Sequence, residues 1–384
     1  MKIALITVRY ASHAGALDRH VRELARGLSR RGEAVEVIVQ ECERRGRREP
    51  ELDGGVVRRF PLSDHHARFT VTPALSDHLR RTASSFDVVH VHGAHLRLAV
   101  AAVRAHPRRV VFSPLVPTAR LLSWPHGRAA RGVVGCAAQT ICTSEADADL
   151  LRRAAPEAAD RVVVVPQGVD AAAIQAAAPF STQSTVVLIV GRLERRKRVE
   201  RAIAAMASLS PAFELVVVGG GPAGPRLMGH AVDLQVFSRV SFTGPISDAD
   251  LHRWLSTAHV VACLSEQEAF GLAMLEGIAA DAPVVVSDIP PHREAGGYVG
   301  DLGVGFVSPE GSPFEVADAI SDAVTFPAPV LVRPLPSWAD VVDRTLAVYQ
   351  EVLGRPPADA TRAGGRGRWR PLVRHGRRDV AVEG

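Results

Sequence analysis

The sequence predicts an α/β protein of two consecutive domains, each a mainly parallel sheet wound with helices. Three observations predict it. The chain is 384 residues long, more than one hydrophobic core usually supports. An alternation of apolar strand, glycine-bearing loop, amphipathic helix and strand opens at Lys2. The same alternation starts afresh at Thr185, after a segment that is first Ala-rich and then Ser/Thr-rich.

Lys2 to Val8 reads as a buried strand. Arg9 interrupts it and no small-residue cleavage site follows, which argues against a signal peptide. Arg9 to Ala14 is a loop ending at Gly15-Ala16. Leu17, Val21, Leu24, Ala25 and Leu28 fall at helical spacing, so a helix runs from about Leu17 to Arg30 and stops at Gly32. Val35 to Val39 is the next strand. This is the βαβ unit of a nucleotide-binding sheet, without a full G-x-G-x-x-G. Glu41 to Gly55 is charged and expected to be a surface loop. Asp87 to Gly93 reads as a buried strand with polar residues, His92 among them, at its carboxyl edge, where open α/β sheets bind ligands. Short strands follow at Val110–Phe112 and Gln139–Cys142, and Thr143-Ser144-Glu145 caps a helix.

In the second half the expected strands are Thr185–Val190, Phe213–Val218, Val240–Thr243, Val260–Leu264 and Pro283–Ser287, with a helix at Val199–Leu209. The resulting division is 1–172 for the first domain, 173–184 for a linker and 185–335 for the second domain. Residues 336–354 form a last amphipathic helix, and 355–384 an Arg-rich tail without order.

The tail holds eight arginines and three carboxylates, which accounts for the whole net charge of +5. The body is therefore neutral, and a nucleic-acid-binding body is disfavoured. For the tail, solvated disorder is the first reading, with docking on an anionic membrane surface or on RNA as the alternatives. No apolar run approaches the roughly 18 residues needed to span a bilayer. Cys42, Cys136, Cys142 and Cys263 show neither metal spacing nor disulfide density. They read as core fillers in a reducing, cytoplasmic compartment, with a peripheral place at the inner membrane face left open by the tail.

The chemistry concentrates in Ser265–Glu276, between an apolar strand and a helical segment. Glu268 belongs on the loop and Glu276 one turn into the helix, with Phe270-Gly271-Leu272 forming its start. Unpaired N–H groups at such a start favour an anion, and Gly271 allows close approach. A carboxylate one turn down reaches the ribose of a nucleotide whose phosphate rests on those amides. A second cluster, Gly191-Arg192-Leu193-Glu194-Arg195-Arg196-Lys197-Arg198, places four consecutive cations at a helix N-terminus, against the helix dipole, and so calls for an anion. Arg192 and Lys197 are spaced to grip a diphosphate from two sides. Gly219-Gly220-Gly221 is a strand-end turn that lets a ligand or a loop come close.

These residues resemble glycosyltransferase family 4, the retaining GT-B enzymes of the glycosyl transferases group 1. The resemblance covers nearly all of 1–354. Gly15 with Asp18-Arg19-His20, Val88 to Gly93, Thr143-Ser144-Glu145, Val165 to Asp170, Gly191-Arg192-Leu193 with Lys197, and Glu268 to Glu276 carry it. It implies two facing Rossmann-like domains and a C-terminal helix, Trp338–Leu353, that crosses back to the first. It also implies retaining, metal-independent transfer of a hexosyl group from a nucleoside diphosphate sugar to an acceptor hydroxyl on a small molecule, lipid or glycan.

Within that resemblance Arg192 and Lys197 neutralise the departing diphosphate, Glu276 binds ribose, and Glu268 sits by the donor hexose. The amides of Phe270, Gly271 and Leu272 contact phosphate and sugar. Gly15 lets the first-domain loop approach the diphosphate, and His92 is a candidate contact for sugar or acceptor. The chain departs from the family at Ala16, in place of a second loop glycine, at Gln167 for Asn, at Arg198 for Gly, and at Leu115, where many members carry a sugar-contacting His. A nucleotide-sugar 2-epimerase of the same fold and a non-catalytic donor-binding protein remain as alternatives. Glu294 is a candidate boundary of the site.

Overall fold

A computed structural model of the chain describes residues 1–8, 10, 15–41, 48–50, 55–61, 71–82, 84–106, 108–123, 125–300 and 303–354. The tail at 355–384, Cys42, and most of the loops expected at 9–14 and 41–55 lie outside the described residues.

The first sheet contains β1 (Lys2–Thr7), β2 (Ala34–Glu41), β3 (Arg48–Pro50), β4 (Val56–Pro61), β5 (Val88–His92), β6 (Val110–Ser113), β7 (Gln139–Cys142) and β8 (Val162–Val164). Its spatial order is β3-β4-β2-β1-β5-β6-β7-β8. All pairs are parallel except β3 with β4. Three residues of the expected 41–55 loop are thus an antiparallel edge strand. Its helices are α1 (Ala16–Arg30), α2 (Pro73–Arg81), α3 (Leu96–Ala105), α4 (Thr118–Leu122), α5 (Gly127–Cys136) and α6 (Glu145–Ala154).

The stretch expected as a linker is not open chain. Helix α7 (Ala171–Gln175) starts at Asp170, whose carboxylate caps it, and buries Ile174 completely in the second domain. Phe180 stacks on Trp254 at 4.6 Å, with the Arg253 guanidinium over its ring. A single large apolar side chain in a small-residue stretch suffices to dock it, and averaged composition hides that.

The second sheet holds β9 (Thr185–Val190), β10 (Phe213–Val218), β11 (Val240–Gly244), β12 (Val260–Cys263), β13 (Val284–Ser287) and β14 (Val304–Val307). It is wholly parallel, in the order β11-β10-β9-β12-β13-β14. Around it lie α8 (Val199–Ala205), α9 (Gly224–Asp233), α10 (Asp248–Thr257), α11 (Leu272–Ala279), α12 (Pro290–Gly296) and α13 (Pro313–Ala323). Counted from β9, this is the doubly wound order 3-2-1-4-5-6, and the strand order reverses between β9 and β12. The two richest sequence clusters follow those two strands.

The last helix, α14 (Trp338–Val352), opens on a capping box between Ser337 and Asp340. It returns to the first domain, where Val341, Val342, Val348 and Tyr349 pack with Ile3, Leu5, Val21 and Leu24 in one buried cluster. Among the described residues no helix is long and apolar enough to cross a membrane. Cys142 and Cys263 are core residues as expected, whereas Cys136 is exposed at the end of α5.

Candidate active site

The site begins at the switch point. After β9 the chain turns at Gly191 and runs as a loop to Lys197, seated on the turn after β10. A Cβ on Gly219 would lie 2.0 Å from the Gly191 carbonyl oxygen, so only glycine allows that approach. The Leu193 amide donates to the Gly220 carbonyl at 3.0 Å. The close approach anticipated at the triple glycine is thus made by a loop of the protein.

The loop after β12 lies alongside. The Glu266 amide donates to the Arg196 carbonyl at 2.8 Å, and Arg196 Nη1 to the Gln267 carbonyl at 3.0 Å. Glu268 is held from three directions. Ser265 Oγ donates to its Oε1 at 2.8 Å, Lys197 Nζ donates to the same oxygen, and Arg196 Nη1 lies 3.7 Å from Oε2. Burial alone would raise the pKa of Glu268; Lys197 and Arg196 outweigh it and hold the carboxyl at about 2.

The four cations expected to await an external anion are instead met mainly by carboxylates of the protein. Arg192 Nε bonds Glu194 at 2.9 Å, Arg196 Nε the other Glu194 oxygen at 3.0 Å, and Arg198 both Glu266 and Glu200. Arg195 is exposed. Lys197 and Arg192 therefore differ: Lys197 is half-buried against Glu268, and Arg192 extends into solvent.

Helix α11 starts at Gly271, whose φ of 98° is in the left-handed region. No side chain caps this end, so the Leu272 and Ala273 amides lack intrahelical partners. A Cβ at Gly271 would sit 3.0 Å from the His292 ring. Phe270 is buried in the core below. One turn in, the Glu276 side chain is 4% exposed, because Arg19 covers it from the first domain: Nη1 donates to Oε1 at 2.5 Å.

Gly15 stands at the N-cap of α1, one turn before Arg19, in extended conformation. Other first-domain groups reach the same cleft. Thr143 Oγ1 donates to the Ala269 carbonyl at 3.1 Å, and Arg120 lies 3.3 Å from Glu194. Glu294 on α12 accepts from the Glu145 and Ala146 amides at 2.9 and 3.1 Å, capping α6 across the domain boundary. Next to that cap, Asp147 is buried and accepts from the Thr118 amide at 3.1 Å. Burial, with Glu294 and Glu268 nearby, pushes its carboxyl up to about 7. Leu115 takes a left-handed φ of 50° in the loop before Thr118.

His92, expected at the cleft surface, is 0% exposed. Its ring lies 3.9 Å from that of His90 and 5.6 Å from that of His20, and burial pushes its pKa well down. It lies beneath the cleft floor as a neutral packing group. His90 is structural as well, held at 2.7 Å by both Tyr349 Oη and Ser113 Oγ.

Spacing in the sequence singles out neither Arg19 nor Asp147 as a site group. Arg19 lies one helical turn from Gly15, but nothing in spacing pairs it with Glu276. Two Asp-x-Asp triplets, at 147–149 and 248–250, lie in the first turns of α6 and α10, where carboxylates suit the helix dipole.

An α/β protein with facing sheets, and with charged loops at the carboxyl ends of β9 and β12, is a ligand-handling enzyme scaffold. The profile of the glycosyl transferases group 1 matches residues 170–328, and that of glycosyltransferase family 4 matches 17–173. A phosphatidyl-myo-inositol mannosyltransferase of Mycobacterium leprae is 27% identical, over 83% of this chain and 86% of its own. A D-inositol 3-phosphate glycosyltransferase of Catenulispora acidiphila is 29% identical, over 89% and 93%. Among solved structures, a sucrose-phosphate synthase from Thermosynechococcus elongatus superposes with TM-score 0.70 at 19% identity, covering 92% of this chain and 94% of that one. The Anabaena protein HepE, in complex with UDP and glucose, gives 0.67 at 17% identity, covering 92% and 98%. The chain belongs to glycosyltransferase family 4 and has the GT-B fold. It is a glycosyltransferase.

Proposed function

We propose that this enzyme transfers a hexosyl group from a nucleoside diphosphate sugar to an acceptor hydroxyl, with retention of anomeric configuration and without a metal. The observation that carries the proposal is the uncapped start of α11 at Gly271, flanked by the Lys197–Glu268 pair and followed one turn later by Glu276. In this reading the diphosphate rests on the amides of Phe270, Gly271 and Leu272. Lys197, with Arg192 turned in from solvent, neutralises the charge that develops as it leaves. Glu276 accepts from the ribose hydroxyls, Glu268 lies at the hexose, and Gly15 closes from above. The acceptor attacks from the face the diphosphate vacates. His92 is left out of the reading because other rings cover it.

The named relatives are transferases, which favours transfer over epimerisation, and they direct the acceptor panel to inositol-containing compounds. UDP-, GDP-, ADP- and TDP-sugars are screened first by thermal shift, since a ligand that binds only the folded state raises Tm. The stabilising donor is then incubated with the acceptors, with and without EDTA, and the anomeric configuration of the product is read by NMR. An axial donor bond kept axial in the product, at a rate unaffected by EDTA, is the expected outcome. An inverted product, or activity lost to EDTA and restored by a divalent cation, overturns the proposal.

A further inference from the structure

Two side chains one turn apart on α1 reach across the cleft. Arg19 bridges two second-domain carboxylates, with Nη1 on Glu276 at 2.5 Å and Nη2 3.4 Å from Asp248. Arg22 Nη2 donates to the other Asp248 oxygen at 2.6 Å, and Glu23 holds Arg22 through its Nε at 3.0 Å. A planar guanidinium is suited to spanning two carboxylates in this way. The consequence falls on Glu276. Its side chain is 4% exposed, with Arg19 over it, yet the proposed function requires this carboxylate to receive ribose hydroxyls. A guanidinium N–H and a ribose O–H are both donors competing for the same oxygen, Oε1, and the ribose cannot reach it while Arg19 is in place.

We infer that Arg19, steadied by Arg22 on Asp248, is an internal occupant of the ribose subsite: it clasps the cleft shut while no nucleotide is bound, and a nucleoside diphosphate must displace it. The inference rests on the reading of Glu276 as the ribose acceptor. Displacement does not strand a charge, because Asp248, in the first turn of α10, remains as a partner for the released guanidinium. Only a fraction of the ligand-free molecules is then competent to bind, and the apparent affinity is lowered by that fraction.

The test is calorimetric titration of the full chain with UDP, GDP, ADP and TDP in turn, on the wild type, Arg19→Met, Glu276→Ala and the double variant. Methionine keeps the length of the side chain and removes every donor, and a thermal melt shows that each variant is folded. The expected result is that Arg19→Met binds the preferred diphosphate about tenfold more tightly, as removing a 10:1 closed state requires. Glu276→Ala should bind it more weakly, and Arg19→Met should add nothing in the Glu276→Ala background. As an independent readout, small-angle scattering of ligand-free Arg19→Met should give a larger radius of gyration than the wild type. Weakening by Glu276→Ala without tightening by Arg19→Met overturns the clasp and leaves the ribose reading standing. Unchanged binding in Glu276→Ala, or no binding of any of the four by the wild type, overturns the ribose reading, and the clasp falls with it.

Discussion

The two walls of the cleft are built on different plans. The second-domain wall takes most of its charged groups from two short stretches, 192–198 and 265–276, which the strand order sets side by side after β9 and β12, with Asp248 and Glu294 added from α10 and α12. Its cations and carboxylates are paired there before any ligand arrives, as Lys197 and Arg196 are with Glu268. The first-domain wall draws Gly15, Leu115 and the Thr143–Asp147 segment at the start of α6 from three separate places in the chain, and its histidines pack inward. The difference separates the labours: one wall holds preorganised charge, and the other supplies closure and shape.

The strongest way to break that contrast is Lys197→Ala. Preorganised electrostatics in a shielded site are worth on the order of 100-fold or more in turnover per group, and steady-state kinetics should show a loss of that size. Arg192→Ala belongs to the same wall. Its guanidinium is exposed and rests on Glu194, so its loss should be the smaller of the two. Equal wild-type turnover in both variants would mean that the charged wall is scaffolding. The acid side gives a second reading of the same pair. Glu268 has a folded pKa depressed to about 2, so its stabilising contribution is present above its ordinary value near 4.5 and is lost as pH falls towards 2. Lys197→Ala should therefore flatten the fall in Tm between those values.

This asymmetry also explains what could be read from the sequence. Both glutamates, Lys197 and Gly271 were legible because strand, loop and helix start are contiguous in the chain, and local spacing becomes local geometry. The Rossmann-like alternation was legible for the same reason. The Arg19–Glu276 contact was not, since the partners stand 257 positions apart and only the packing of two domains joins them. His92 misled because a polar residue at a strand end reads as cleft-facing, and the sequence does not show that His20, itself packed against Trp338, lies over that strand end. The helix at 171–175 was masked by small residues around Ile174.

Asp147 tests the first-domain wall. With its pKa raised from 3.8 to about 7, folding disfavours the ionised form, so wild-type stability falls as pH climbs through that interval. Asp147→Asn keeps an oxygen for the Thr118 amide and removes the titration. Its Tm should match the wild type near pH 4, rise above it between pH 4 and 7, and level off beyond, at a gain of several degrees. A pH-independent difference would mean that the carboxyl acts only as a hydrogen-bond acceptor. Gly271→Ala, on the opposite wall, meets both the left-handed φ and the His292 ring, and should cost about 1–2 kcal/mol in denaturant unfolding. Because the same change disturbs the amides at the α11 start, nucleotide binding should weaken beyond what the stability loss explains.

The smallest expected effect concerns Arg198, which stands where family members usually carry glycine. It has a left-handed φ of 50° and is tied to Glu266 and Glu200. Arg198→Gly relieves strain worth about 1 kcal/mol. Against this stand the loss of a half-exposed ion-pair network, worth roughly 0–1 kcal/mol, and about 0.5–1 kcal/mol of extra freedom in the unfolded chain. The terms nearly cancel, so the midpoint of urea unfolding should move by less than the equivalent of about 1 kcal/mol, with turnover essentially unchanged. A much larger loss would show that the Arg198–Glu266 tie fastens the two charged loops to each other. The strained arginine would then be a structural clamp of the donor wall, adopted in place of the glycine's freedom, and the preorganisation of Lys197 against Glu268 would depend on it.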